Sequence, residues 1–411
     1  MNIPYLSLRS ILAKPLSSFL SWLLLAFGVT VVVLILLVSR ELENEISKNT
    51  KGVDLVIGAK GSPLQLILAN IFHVDFPTGN INLMEAAKVS HSRYISEVIP
   101  LSLGDSYAGY RIVGTTDAYA ALYGAELSAG GWFEHPMQVV VGALVAEKLK
   151  LQLGDTFESQ HGLSEDGEAH ESEPFVVAGV MSPSNTVLDK LILTGVASIW
   201  QVHDHEEEHE SHEKDSLITI DHWGLTVTRE QYEEEQITSL LVKYRSPMGA
   251  VMLPRAINGE SSMQAASPAF EAARLFNIIG VGIQVLNILG VMIIAISAIS
   301  VFIALLNSLK DRKYDIAIMR SMGATRRQIL LHILFEGLMI TFVGAISGLL
   351  TAHGVLYAMA SSLEGINPRT FYFINEEWIV LFGCLIIGLL AAVIPAVLAY
   401  KTDISETLAK G

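Results

Sequence analysis

An integral membrane protein of four α-helical spans, with a large α+β extracytoplasmic domain set between the first and second, is encoded in these 411 residues. Three features point to it: four long runs without a charge, a crowd of cations between the second and third runs, and an acidic stretch of 230 residues between the first and second.

A bilayer core of about 30 Å needs roughly 20 apolar residues of helix. Charge-free runs of 25 residues between Lys14 and Arg40, 35 between Arg274 and Lys310, 27 between Glu336 and Glu364, and 23 from Trp378 to Tyr400 all meet that length. Composition agrees, since 51% hydrophobic residues and a mean hydropathy of +0.44 are too apolar for an ordinary soluble domain.

Residues 1–14 form a leading segment, and 15–40 the first span. Its apolar part exceeds the core of a secretory signal, about 7 to 15 residues, and no small-residue cleavage site precedes Arg40, so it reads as an uncleaved anchor. Cations set the orientation. Arg9 and Lys14 precede the first span, Lys310, Arg312, Lys313, Arg320, Arg326 and Arg327 crowd the loop between the second and third, and Lys401 and Lys410 follow the fourth. Cytoplasmic loops carry such an excess, which puts both termini and that loop in the cytoplasm and residues 41–270 outside.

The outer domain, 41–270, holds 33 acidic against 14 basic side chains, a net of −19, while the rest of the chain carries +4. So acidic an exterior excludes nucleic acid as a partner. The single cysteine, Cys384, lies in the fourth run, so the domain is held by its core with no intrachain disulfide. Segments rich in Val, Ile and Tyr and bounded by Gly, Pro or Asp predict strands at 55–57, 96–103, 110–113, 138–141, 175–180 and 238–244. Ala143–Leu151 and Asp189–Val202 read as helices.

Residues 271–309 combine a stalk with the second span, because 35 helical residues measure roughly 50 Å, more than the hydrocarbon needs. Phe270–Phe276 and Glu41–Ile46 have the spacing to extend both helices outward, although Gly280, Gly282 and Gly290 also allow a tilted or kinked span. The third span is 329–363, an external loop 364–377, the fourth span 378–400, and the tail 401–411. Between the second and third spans, 310–328 is short, basic and punctuated by Gly323, a helical elbow at the membrane surface suited to receive force.

The stretch Asp311-Arg-Lys-Tyr-Asp-Ile-Ala-Ile-Met-Arg-Ser-Met-Gly-Ala-Thr-Arg-Arg-Gln-Ile329, followed by Leu334-Phe-Glu-Gly337, resembles the signature of MacB/LolC/FtsX-type ABC transporter permeases. Ser7-Leu-Arg-Ser-Ile-Leu-Ala-Lys-Pro15 is similar to their amphipathic leading helix and Ile394–Leu408 to their closing motif. Val139–Gly142, Ala146–Asp155 and Phe175–Val180 resemble the MacB-like periplasmic core. The resemblance implies a bacterial inner-membrane protein that pairs with a second permease copy, identical or not, and with a cytoplasmic ABC ATPase subunit that uses the ATP. A periplasmic adaptor or substrate protein and membrane lipid are further implied partners. The chain has no Gly-Lys dipeptide, hence no Walker A loop, and is expected to bind no cofactor and catalyse no reaction itself. The coupling residues expected from the resemblance are Asp315, Arg320, Gly323, Ala324, Arg326 and Arg327. Gly323 and Ala324 permit a close turn, and the arginines can pair with partner carboxylates.

Glu336 lies at the start of the third run and is expected at the membrane boundary, beside an elbow arginine; a proton or substrate path is the alternative. His332 and His353 on the same helix read as packing residues. The acidic loop 203–215 carries His203, His205, His209 and His212, and on a helix the last three share a face. Imidazole and carboxylate suit Zn²⁺, so the loop is either a metal-sensing tract or simply solvated. Three functions stay open. The first is an export or extraction machine for a lipophilic or envelope substrate such as a lipoprotein, peptide or drug. The second is an FtsX-like regulator switching an external cell-wall hydrolase. Ranked last is a zinc-linked transport component, because the spans lack clustered metal ligands.

Overall fold

The computed structural model describes residues 3–13, 15–161, 174–203, 218–220, 223, 225–362 and 373–401. The chain forms two compact units, one of residues 1–42 with 278–411 and one of 43–277.

The second unit is built on an eleven-stranded mixed sheet. Nine strands run in the order 263–266, 55–59, 239–244, 95–107, 110–115, 192–195, 138–141, 175–181 and 127–130, with 156–157 and 160–161 paired to its sides. Its central strands are buried on both faces, which explains their near-continuous apolar sequence. In Leu55–Ala59, Leu55 and Ile57 enter one core with Leu240, Val242 and Trp200, while Val56 enters another with Leu101, Val113 and Leu241. Register follows: Leu55 faces Val242 and Ile57 faces Leu240 across an antiparallel pair.

The expected helix over Asp189–Val202 is corrected by the structure. A 3₁₀ turn at Val187–Lys190 leads into a strand, Ile192–Gly195, and only then into a helix, Val196–His203. The strand pairs parallel to 110–115 and antiparallel to 138–141. Ile192 points into one core and Leu193 into another. A short apolar run buried on both sides carries no period that separates strand from helix. The helix after Gly142 ends at Leu149 rather than Leu151, where Lys150 adopts a left-handed φ of 56°.

Some buried polar side chains of this unit are hydrogen-bonded to one another. His73, itself at φ 53°, shares a hydrogen bond of 2.9 Å between its Nε2 and Tyr119 Oη. Burial, and then the charge of Arg111, push the His73 imidazole from 6.5 down to about 3. The folded protein therefore holds His73 neutral where the unfolded chain would protonate it. The stability it supports is complete above pH 6.5 and is lost as pH falls from 6.5 towards 3. Urea unfolding of the chain in detergent at pH 7, 5 and 4 should show a loss approaching about 1.4 kcal/mol per pH unit in that window. His73→Asn, which tolerates positive φ, should flatten it.

The helix Pro15–Asn49 is unbroken over 35 residues. Its last residue is fastened twice: Tyr123 Oη donates to the Asn49 carbonyl and the Val187 amide donates to Asn49 Oδ1, both at 2.9 Å.

The first unit holds most of the length of the long apolar helices. Among the described residues four helices are long and apolar enough to cross a membrane: Pro15–Asn49, Pro268–Asp311, Arg326–Ser362 and Asn375–Lys401. The 44-residue second one is unbroken through Gly280, Gly282 and Gly290. Small residues let these helices approach closely. A Cβ on Gly28 would lie 3.0 Å from Ile294 Cγ1, and one on Gly290 2.6 Å from Val32 Cγ2. Ser21 Oγ meets Ser300 Oγ at 3.0 Å across the same seam, and Trp22 Nε1 donates to Ser347 Oγ at 2.9 Å between the first and third spans.

Candidate coupling site

The second span ends at Asp311, and Arg312 leads into a nine-residue elbow helix, Lys313–Ser321. Ile316 and Ala317 on its inner face are buried, Ile316 against Leu305, Leu309, Ile329 and Ile333. The helix is closed by a Schellman arrangement around Gly323, whose φ of 101° favours glycine. The Gly323 amide donates to the Arg320 carbonyl at 3.1 Å and the Ala324 amide to the Met319 carbonyl at 3.0 Å. The third span then opens with a capping box: the Thr325 amide donates to Gln328 Oε1 at 2.9 Å, and the Gln328 amide to Thr325 Oγ1 at 3.3 Å. Sequence chemistry thus fixes both sides of the corner, a glycine where the chain must turn and a Thr-x-x-Gln where the helix must start.

Of the six residues singled out by motif, Asp315 and Arg320 sit on the elbow helix, Gly323 and Ala324 in the turn, and Arg326 and Arg327 in the first turn of the third span. Asp315, Gly323, Arg326 and Arg327 are exposed, while Arg320 and Ala324 are partly buried. Arg326 lies over the Tyr400 ring, 5.8 Å from its centroid, which positions the guanidinium from the fourth span.

Sequence reasoning missed two parts of the corner. Tyr314, Ile318 and Met322 recur every four residues and stand exposed, Met322 at 83%. They form an apolar stripe on the outer face of the elbow. Their spacing could have revealed it, but the cations drew the eye.

The second omission is how the leading helix, Ile3–Ala13, is stitched to the corner by its serines. Ser7 Oγ meets His332 Nδ1 at 2.9 Å and donates to the His332 carbonyl at 3.1 Å. Arg312 donates to Ser10 Oγ and, at 3.2 Å, to the Ser10 carbonyl. Ser7 and Ser10 are buried, so the polar face of this helix seals against the third span and the start of the elbow.

His332 is therefore a packing residue held by Ser7. Glu336 is buried and lines a cavity with Arg312 beneath the elbow helix. His353 meets Glu377 Oε2 at 3.1 Å through Nε2, both side chains almost wholly buried, which joins the third and fourth spans. Of the candidate metal ligands, His205, His209 and His212 lie outside the described residues, and His203 ends the helix Val196–His203. Among the described residues no group of three or more His, Cys, Asp or Glu could hold a metal.

The family model described as the MacB-like periplasmic core domain matches residues 18–250, more than half of the chain, and that described as the FtsX-like permease C-terminal matches 287–404. The chain belongs to the MacB/FtsX-type ABC transporter permease family. Permeases of this family work with ABC ATPase partners, and the elbow of this one lies inside the FtsX-like match. Among solved structures, this permease is similar to the periplasmic region of MacB from Actinobacillus actinomycetemcomitans, at 14% identity over 56% of this chain and 98% of that one, TM-score 0.34. It is also similar to the extracellular domain of the noncanonic ABC-type transporter YknZ from Gram-positive bacteria, at 12% identity over 52% and 99%, TM-score 0.30. No curated protein matches it. The permease is thus a membrane protein with an extracytoplasmic domain.

Proposed function

We propose that this permease converts the motion of a cytoplasmic ATPase, docked on the elbow, into movement of its extracytoplasmic domain, and so extracts or exports a lipophilic or envelope-borne substrate. The elbow and both termini face the cytoplasm of a bacterial cell with an inner membrane, and a second permease copy completes the transporter. The observation that carries this reading is the elbow itself. An exposed apolar stripe, Tyr314, Ile318 and Met322, stands beside Asp315, Arg326 and Arg327 on a corner capped on both sides. Apolar anchors ringed by charge suit a protein partner more than solvent. The corner is locked to the second and third spans, and the first and second spans are long unbroken helices, Pro15–Asn49 and Pro268–Asp311.

The test is copurification of the tagged chain with its ATPase, followed by ATP turnover. Arg326→Glu/Arg327→Glu should lose the complex or its stimulated turnover, since two guanidinium contacts become two repulsive ones. Wild-type association and turnover in that variant would sink the assignment of the elbow as the docking site.

A further inference from the structure

The cavity beneath the elbow helix measures about 160 Å³. Its polar lining is Ser10, Ser308, Arg312, Asp315, His332 and Glu336, and its walls are aliphatic side chains of the leading helix, the elbow helix and the second and third spans. It lies where the apolar runs of two spans give way to charge, the level of lipid headgroups in a bilayer. Ser10, Ser308, His332 and Glu336 are all buried, an unusual density of polar groups for the end of an apolar bundle. The Arg312 guanidinium is already oriented by its bonds to Ser10.

The charges in the lining are mixed. An anion would gain Arg312 but meet Asp315 and Glu336, and a plain cation would gain the carboxylates but meet Arg312. A zwitterion with a phosphate and a primary ammonium satisfies both. Guanidinium binds phosphate through paired N–H donors, and an ammonium offers three donors to carboxylate and hydroxyl oxygens. The volume is far more than one water needs and on the scale of such a headgroup, and the aliphatic walls would lie along the start of its acyl chains.

We infer that this cavity is a binding site for an aminophospholipid headgroup, of the phosphatidylethanolamine class. A lipid seated there wedges between the leading helix and the elbow helix, and so ties the corner to the composition of the membrane. The site goes beyond the coupling role proposed above and shares only Asp315 with it.

Native mass spectrometry of the full chain in detergent, with equal amounts of phosphatidylethanolamine, phosphatidylcholine and phosphatidylglycerol, tests it. Phosphatidylethanolamine should be retained preferentially, because the trimethylammonium of phosphatidylcholine has no N–H to donate and phosphatidylglycerol has no cation. Soluble phosphoethanolamine should compete it off. Glu336→Gln should weaken retention, and Asp315→Asn, at an exposed position that the fold does not need, should weaken it roughly tenfold. Equal retention of the three lipids overturns the inference. So does a phosphatidylethanolamine preference that survives Asp315→Asn, or one that phosphoethanolamine fails to displace.

Discussion

Ile318→Glu/Met322→Glu should leave this permease folded and cut its affinity for the ATPase about a hundredfold. Met322 is 83% exposed and Ile318 38%, so the substitution removes little internal packing, most of it at Ile318. Burying each against a partner is worth about 1.5 kcal/mol, and the two together correspond to roughly two decades in Kd. The charge added to a desolvated contact increases the loss. Ile318→Leu/Met322→Leu, which keeps the apolar surface, should bind as wild type. The measurement is partner affinity by surface immobilisation of the solubilised chain, with circular dichroism as the folding control. Undiminished affinity in the glutamate variant would mean that the stripe contacts something other than the ATPase.

Gly348→Ala should clearly destabilise the membrane bundle. A Cβ there would lie 2.5 Å from the Ala26 carbonyl oxygen and 2.8 Å from Val29 Cβ. The first of these is backbone and cannot rotate away, so the first and third spans must separate. Separation also breaks the bond from Thr30 Oγ1 to the Gly348 carbonyl at 3.0 Å and that from Trp22 to Ser347. Overpacking of this kind costs about 1–3 kcal/mol, and the lost bonds add to it. Gly354→Ala is the matched control, because nothing lies within 4 Å of its added Cβ, and alanine is the better helix former. Thermal unfolding of the two variants in one detergent should show a clear drop for the first and none for the second. Equal curves would mean that the helices do not pack through Gly348.

Much of this architecture is written locally, and the rest is not. The apolar helices follow from runs of uncharged residues, and the corner from a glycine and a Thr-x-x-Gln only a few positions apart. The strand Ile192–Gly195 was hidden because its two faces serve two different cores. Ser7 could not be read as a partner of His332, since 325 residues separate them and a serine at the start of an amphipathic helix has no distinctive signal. The bond between Glu377 and His353, on another helix, was likewise invisible along the chain. Candidate sites built within one segment are legible in sequence, while those assembled by packing become visible only in three dimensions.

Asn49 closes the first long helix with two bonds of different kind, one to its main chain and one to its side chain. A helix held at one point can swivel about that point, and rotation along its axis is lost there. Held at two points, on different atoms and by different segments of the outer domain, it has no such freedom. The end of the Pro15–Asn49 helix is therefore fixed in rotation as well as in position by the segments around Tyr123 and Val187.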